Sequence, residues 1–225
     1  MPTLHESYPG MVVALADRYG RLDPFPEDPD PFARILRQAV DPRKASTILN
    51  ALREAGLLDA ATLAEAEPTE IAEAAQESGA SLTPAAVRPL QRLARWLVER
   101  HQGSADALAE EPTARLRDEL LSLNGIGPAS ADAILLFALH RPVYPVDRAS
   151  YRVLVRHGWL EPTADYDEAR DTLERLAPED PDALAHLSAW LDRIGHDVCR
   201  ASVAKCDRCP LKPFLPPTGP VAPEP

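Results

Sequence analysis

No apolar run in the 225-residue chain approaches the roughly 20 residues that a bilayer-spanning helix needs. The start, MPTLHESYPG, lacks the basic-then-apolar order of a secretory signal, so a cytosolic location is expected. Cysteine is scarce: Cys199, Cys206 and Cys209 are the only three, an odd number crowded into eleven positions. That pattern does not suit a closed disulfide framework and suits a metal site or buried thiols better. Lysine is equally scarce, with only Lys44, Lys205 and Lys212 among 24 Lys and Arg, a bias of composition rather than of chemistry. Strand-like alternation is also missing. What is present is 45% apolar side chains, enough for one substantial core or two small ones.

The net charge of −11 argues at first against a polyanionic partner, since such binding usually rests on cations that release counterions. The charge is unevenly spread, however. No basic residue lies between Arg53 and Arg88, where Asp59, Glu65, Glu67, Glu70, Glu73 and Glu77 read as a solvated acidic face. From Arg193 to Lys212 the balance reverses. There Arg193, Arg200, Lys205, Arg208 and Lys212 outnumber Asp192, Asp197 and Asp207, so the surroundings of the cysteines are mildly basic.

Helical periodicity dominates the chain. PFARILRQAV, RKASTILNALREAG, TPAAVRPLQRLARWLVERHQ and TARLRDELLSL place apolar residues three or four apart, and Gly56 and Gly103 sit where helices should end. SADAILLFALH, RASYRVLVRHGW, YDEARDTLERLA and PDALAHLSAWLDRIGHDVC continue the pattern, several behind a capping residue or proline. The spacing predicts an all-α protein with short connections. RLDPFPEDPDPF reads as a connector, and the proline-rich end as a largely disordered tail.

Between two of these helices stands LNGIGPASA, residues 123–131, with glycines at 125 and 127. Glycine tolerates positive φ and lets another backbone approach, so Gly125 and Gly127 permit a compact hairpin with outward amides. Such a turn can hold a phosphate without a net basic protein, or it can be an ordinary helix-to-helix turn with a capping glycine. Twenty residues after Gly127, VYPVDRASYRVL sets Asp147 before a helix. A helix N-cap and a functional carboxylate are both open there, and they are compatible.

LNGIGPASADAILL together with VDRASYRVL resembles the helix-hairpin-helix and catalytic-aspartate segments of the endonuclease III superfamily of DNA glycosylases. That family ends in a C-x6-C-x2-C-x5-C iron–sulfur loop, and Cys199, Cys206 and Cys209 match its first three positions, with Leu215 at the fourth. The resemblance runs from about Pro31 to Leu215 and is most specific in the C-terminal half.

Carried over residue by residue, the resemblance makes Asp147 the catalytic carboxylate, able to stabilise a cationic sugar or activate the attacking nucleophile. Leu123, Gly125, Ile126, Gly127, Ala129 and Ser130 become the DNA-gripping hairpin. Bifunctional members carry a lysine two residues after the second glycine, whose amine forms a Schiff base and permits strand cutting. Here that residue is Ala129, and the hydroxyl of Ser130 cannot replace an amine, which predicts a monofunctional glycosylase using water. The segment that fills the gap left by an extruded base is short, with Gln38 its nearest candidate, so lesions that already pair poorly are favoured. Tyr144 and His140 are candidates for base contact, although packing is the commoner role of such residues.

For the cysteines, the resemblance implies a 4Fe-4S cluster with three Cys ligands and a fourth of another kind, bracing a loop in which Lys205, Arg208 and Lys212 meet phosphates. A zinc site or a lost cluster are the other readings. The implied fold is all-α with two helical lobes. One spans 24–141 and carries the hairpin. The other joins 1–23 to 142–215 and carries Asp147 and the cysteine loop, leaving 216–225 as a disordered tail. The implied function is excision of a damaged base from duplex DNA by a cytoplasmic, nucleoid-associated monomer. Alkylated purines and oxidised pyrimidines both stay open as substrates. The alternatives are a catalytically weak or inactive DNA-binding relative and a helical interaction protein.

Overall fold

The computed structural model describes residues 2–25 and 28–221. Among them the α-helices are α1 (Leu4–Tyr19), α2 (Pro31–Arg37), α3 (Ala45–Glu54), α4 (Ala60–Glu65), α5 (Pro68–Glu77), α6 (Pro84–His101), α7 (Thr113–Ser122), α8 (Pro128–Ala133), α9 (Arg148–Arg156), α10 (Tyr166–Glu174) and α11 (Pro181–Asp197). No strand forms among the described residues; one isolated antiparallel bridge joins Cys199 to Ala204. The chain divides into two compact units, Met1–Phe25 with Pro142–Pro225, and Pro26–Arg141.

The second of these units is built around α6, which packs against α4 and α5, while α3 packs against α5 and α2. Leu90, Leu93, Ala94 and Leu97 of α6 are fully buried with Leu63 of α4 and Ile71 of α5, the outcome that the three-and-four spacing anticipates. Gly56 and Gly103 close α3 and α6 with φ of +72° and +77°. The acidic stretch holds two helices that periodicity did not single out, α4 and α5. Their glutamates at 65, 67, 70, 73 and 77 are all exposed. The helix begun by α8 widens into a π turn over Ile134–Ala138, where the Leu139 N–H donates to the Ile134 carbonyl at 3.1 Å.

In the first unit α9 and α11 pack together and α1 packs on α11. The α9–α11 crossing is close. A Cβ on Gly195 would lie 2.3 Å from the Ala149 Cβ, so a glycine is what lets the start of α9 sit down on α11. Helix α1 was not among the segments singled out by periodicity, and it carries Pro9 in its interior. It forms behind a capping box in which Thr3 and Glu6 satisfy each other's backbone N–H. Gly10 also has a packing reason: its Cβ would meet the Phe214 ring at 2.9 Å.

The proline-rich end departs from its expected disorder as far as Val221. Residues 212–214 form a 3-10 turn, and the Val221 N–H donates to the Arg156 carbonyl at 2.9 Å. These turns are held by packing of Phe214 and by backbone hydrogen bonds, which composition alone does not reveal. Residues 222–225 of the expected tail lie outside the described residues.

Candidate functional site

Asp147 is the N-cap of α9, with its Oδ1 accepting the Ser150 N–H at 2.6 Å. Ser150 is itself buried and shares a 2.9 Å hydrogen bond with the hydroxyl of Tyr144, a residue with no exposed surface. The cap therefore rests on a buried polar pair. Tyr144 is a packing residue, its backbone N–H donating to Glu174 Oε1 at 2.9 Å, and burial pushes its phenol well above the ordinary tyrosine range. His140 belongs to the other unit, exposed in a left-handed conformation at φ +53°.

The half-buried Asp147 carboxylate lines a cleft of about 560 Å³ formed by the start of α9, the last turns of α11 and residues 200 and 201. Arg148, Arg152, His196 and Arg200 share the lining, and so does a second carboxylate, Asp192. Partial burial raises the Asp192 carboxyl above its ordinary value, although much of the side chain is exposed. The Asp147 charge adds to the rise, against His196 and Arg193. His196 Nδ1 stands 3.3 Å from Asp192 Oδ1. Arg152 is oriented by donating Nε to the Cys199 carbonyl at 3.1 Å, and Arg200 by donating Nε to the His196 carbonyl at 2.9 Å. Sequence reasoning missed Asp192, Arg148, Arg152 and Arg200 as site residues. The only local signal was the i, i+3 and i, i+4 spacing of Asp192, Gly195 and His196 on one helical face.

The three cysteines line a different cavity in the same unit, together with Arg156, His157 and Leu215. Arg156 is buried, and its Nη1 donates to Cys199 Sγ at 3.1 Å and to the Arg200 carbonyl at 2.8 Å. Burial pushes the Cys209 thiol up to about 11, and Cys206 is raised by burial and then by Cys199. Three soft sulfur donors converging on one cavity match the donor chemistry of an iron–sulfur group, while Leu215 offers no ligand. Among the described residues no group of three or more His, Cys, Asp and Glu side chains is set to hold a single metal ion. Lys205 and Arg208 are exposed on this loop, and Lys212 donates to Asp207 at 3.0 Å.

In the other unit the hairpin is anchored from beneath. Ile126 is buried, and Arg117 of α7 donates Nε and Nη2 to Asp132 of α8 at 2.7 and 3.2 Å, with the Asp132 side chain wholly buried. The Arg92 guanidinium donates to the Asn124 carbonyl. Arg92, Arg95 and Arg100 line a groove of about 230 Å³ along the hairpin's edge together with Glu99 and Glu119, a mixed-charge feature that sequence reasoning did not isolate. Gly125, Gly127 and Ala129 are exposed, and Ser130 is half-buried. Gln38 is the C-cap of α2, its side-chain amide donating to the Arg34 carbonyl at 3.4 Å.

The two hairpin glycines differ in kind. Gly125 has φ +93° and a would-be Cβ 3.2 Å from Pro89 Cγ, so the turn itself demands glycine. Gly127 has extended backbone at φ −89°, ψ 173°, and nothing within 4 Å of its would-be Cβ. Nothing among the described residues asks for glycine at 127.

No family model matches the chain. Among solved structures, a trapped endonuclease III–DNA covalent intermediate, an estranged-adenine complex, is similar with a TM-score of 0.72 at 20% identity, covering 95% of this chain and 96% of that one. That likeness defines an all-helical fold of the endonuclease III kind. In sequence, MJ1434 of Methanocaldococcus jannaschii, provisionally named a DNA repair glycosylase, is 30% identical over 181 residues, 80% of this chain and 81% of its own length. Endonuclease III of Thermotoga maritima is 28% identical over 151 residues, 67% of this chain and 64% of its own. The chain belongs to the endonuclease III-like helix-hairpin-helix superfamily of DNA glycosylases.

The contrast between the hairpin glycines predicts that Gly125→Ala destabilises the protein by about 1–3 kcal/mol through forced positive φ. Gly127→Ala leaves stability unchanged or raises it by up to about 1 kcal/mol. Urea denaturation of the two variants checks this; equal losses would contradict it.

Proposed function

We propose that this protein is a monofunctional DNA N-glycosylase of base excision repair, which extrudes a damaged base from duplex DNA and hydrolyses its glycosidic bond with water. The observation that carries the reading is Asp147, a carboxylate held by its helix cap in a cleft that also presents Arg148, Arg152 and Arg200. Leaving of the base develops positive charge on the sugar. A carboxylate whose orientation is fixed in advance, and which is partly withdrawn from water, stabilises that charge without reorganising. Ala129, at the position where the family resemblance puts a Schiff-base lysine, is exposed and has no nucleophile. Water is then the remaining nucleophile, and β-elimination through an enzyme amine at that position is absent.

The remaining residues divide the binding. The hairpin from Leu123 to Ser130, with Gly125, Ile126, Gly127 and Ala129 between, takes the DNA backbone. The open space over Gly127 supports this, since glycine there serves no internal need. Gln38 fills the gap left by the extruded base, a small filler that suits lesions already weakly paired. Arg148, Arg152 and Arg200 meet phosphates beside Asp147, and Lys205, Arg208 and Lys212 do so on the cysteine loop.

Cys199, Cys206 and Cys209 would hold a 4Fe-4S cluster with one iron lacking a thiolate. The cluster supplies rigidity to the basic loop, and no step of the hydrolysis needs it. The protein acts as a monomer in the nucleoid-associated cytoplasm. No helix among the described residues is long and apolar enough to cross a membrane.

Single-turnover excision on duplexes bearing oxidised pyrimidines, alkylated purines, uracil or mismatched adenine tests the reading. Product should be visible only after alkali, and Asp147→Asn should lower the rate at least about a hundredfold. Asparagine also caps helices, so this variant keeps the fold of α9 while removing the charge. Strand cutting without alkali would overturn the monofunctional assignment. Tight duplex binding with no excision anywhere would instead favour the catalytically inactive DNA-binding relative. Protein purified without oxygen should be brown and carry about four irons per chain; a colourless, iron-free preparation would overturn the cluster.

A further inference from the structure

Asp192 has no place in the carry-over from the family resemblance, yet it lines the same cleft as Asp147. The fold brings the two together deliberately. Asp192 stands three residues before Gly195, on the same face of α11, and Asp147 stands two residues before Ala149 at the start of α9. Gly195 and Ala149 are the point where the two helices nearly touch, so both carboxylates flank one crossing. Bringing like charges together costs stability unless something uses them, and paired carboxylates in unequal environments are how one site divides two roles. Here the environments are unequal. Asp147 Oδ1 accepts the Ser150 N–H, whereas no backbone cap holds Asp192, whose side chain is 54% exposed and within reach of water.

We propose that Asp192 is a second catalytic carboxylate of this cleft, the base that takes the proton of the attacking water. This rests on the glycosylase reading above. As the water oxygen bonds to C1′, the C1′–N bond breaks and its electron pair leaves with the base, which is protonated from solvent. The water proton passes to Asp192 and from there back to solvent, while Asp147 faces the cationic sugar. A base is more effective the nearer its affinity for protons lies to working pH, and the partial withdrawal of Asp192 from water, with the Asp147 charge beside it, moves Asp192 in that direction. The groups that face it are Asp147, Arg148 and Arg152 from α9, Arg193 and His196 from its own helix, Arg200 beyond it, and the buried Tyr144.

The test is single-turnover excision from pH 5 to 9 on whichever duplex of the panel the wild type processes, with duplex affinity measured alongside. Asp192→Asn should lose about 10²- to 10⁴-fold in rate with affinity unchanged. The wild-type rate should fall as pH drops through the Asp192 pKa, above the ordinary aspartate value of about 3.9, and that limb should vanish in the variant. Formate should restore part of the rate to Asp192→Ala, which a purely structural role would not allow. A rate for Asp192→Asn within about threefold of wild type, with the acid limb intact, would overturn the proposal while leaving the glycosylase reading standing. A wild type that excises nothing from any duplex would overturn both.

Discussion

The near-contact of α9 and α11 is the constraint on which the candidate site depends. With the Gly195 Cβ position only 2.3 Å from the Ala149 Cβ, no larger residue fits at 195 without pushing the helices apart. The start of α9 is therefore fixed on α11, and with it the Asp147 cap, the Ser150 to Tyr144 hydrogen bond beneath it, and the guanidinium of Arg152. Interiors resist deformation because they are close-packed, so a carboxylate placed this way is held in one orientation without a loop having to order around it. Arg156, further along α9, extends the same rigid element into the cysteine loop through Cys199, Arg200 and Ala201.

A comparable economy shapes the hairpin. The Arg117–Asp132 pair joins the helices on either side of it with two parallel hydrogen bonds, and Asp132 is fully buried. Removing one partner of such a pair strands the other's charge, so the pair specifies one geometry more than it adds net stability. Above it the turn needs glycine at 125 for its own path. At 127 the backbone is ordinary and the space is open, the pattern expected where the reason for glycine lies outside the chain.

Much of this was legible in the amino-acid sequence because helices announce themselves by period. The segments that became α3, α6, α7, α9, α10 and α11 show it plainly, and so do the closing glycines at 56 and 103. Helix α1 was hidden by Pro9–Gly10, a pair whose local meaning is a turn but whose tertiary meaning is a close approach by Phe214. Helices α4 and α5 were masked by their glutamates. Asp147 was readable through its neighbours, VDRASYRVL. Asp192, Arg152 and Arg200 were not, since a cleft assembled from α9, α11 and the residues after it has no signature in any one segment. The difference between Gly125 and Gly127 is likewise a matter of dihedral angle, which two identical letters cannot carry.

The proposed chemistry is that this member of the superfamily, whose hairpin offers Ala129 in place of an amine, removes its base with water. Borohydride reduces a protein–sugar Schiff base to a stable covalent link, so excision run in its presence reads the nucleophile directly. The account predicts base release with no protein–DNA adduct from the wild type, and adduct formation once Ala129→Lys restores an amine. A trapped adduct from the wild type would contradict it, because some other amine would then be attacking the sugar.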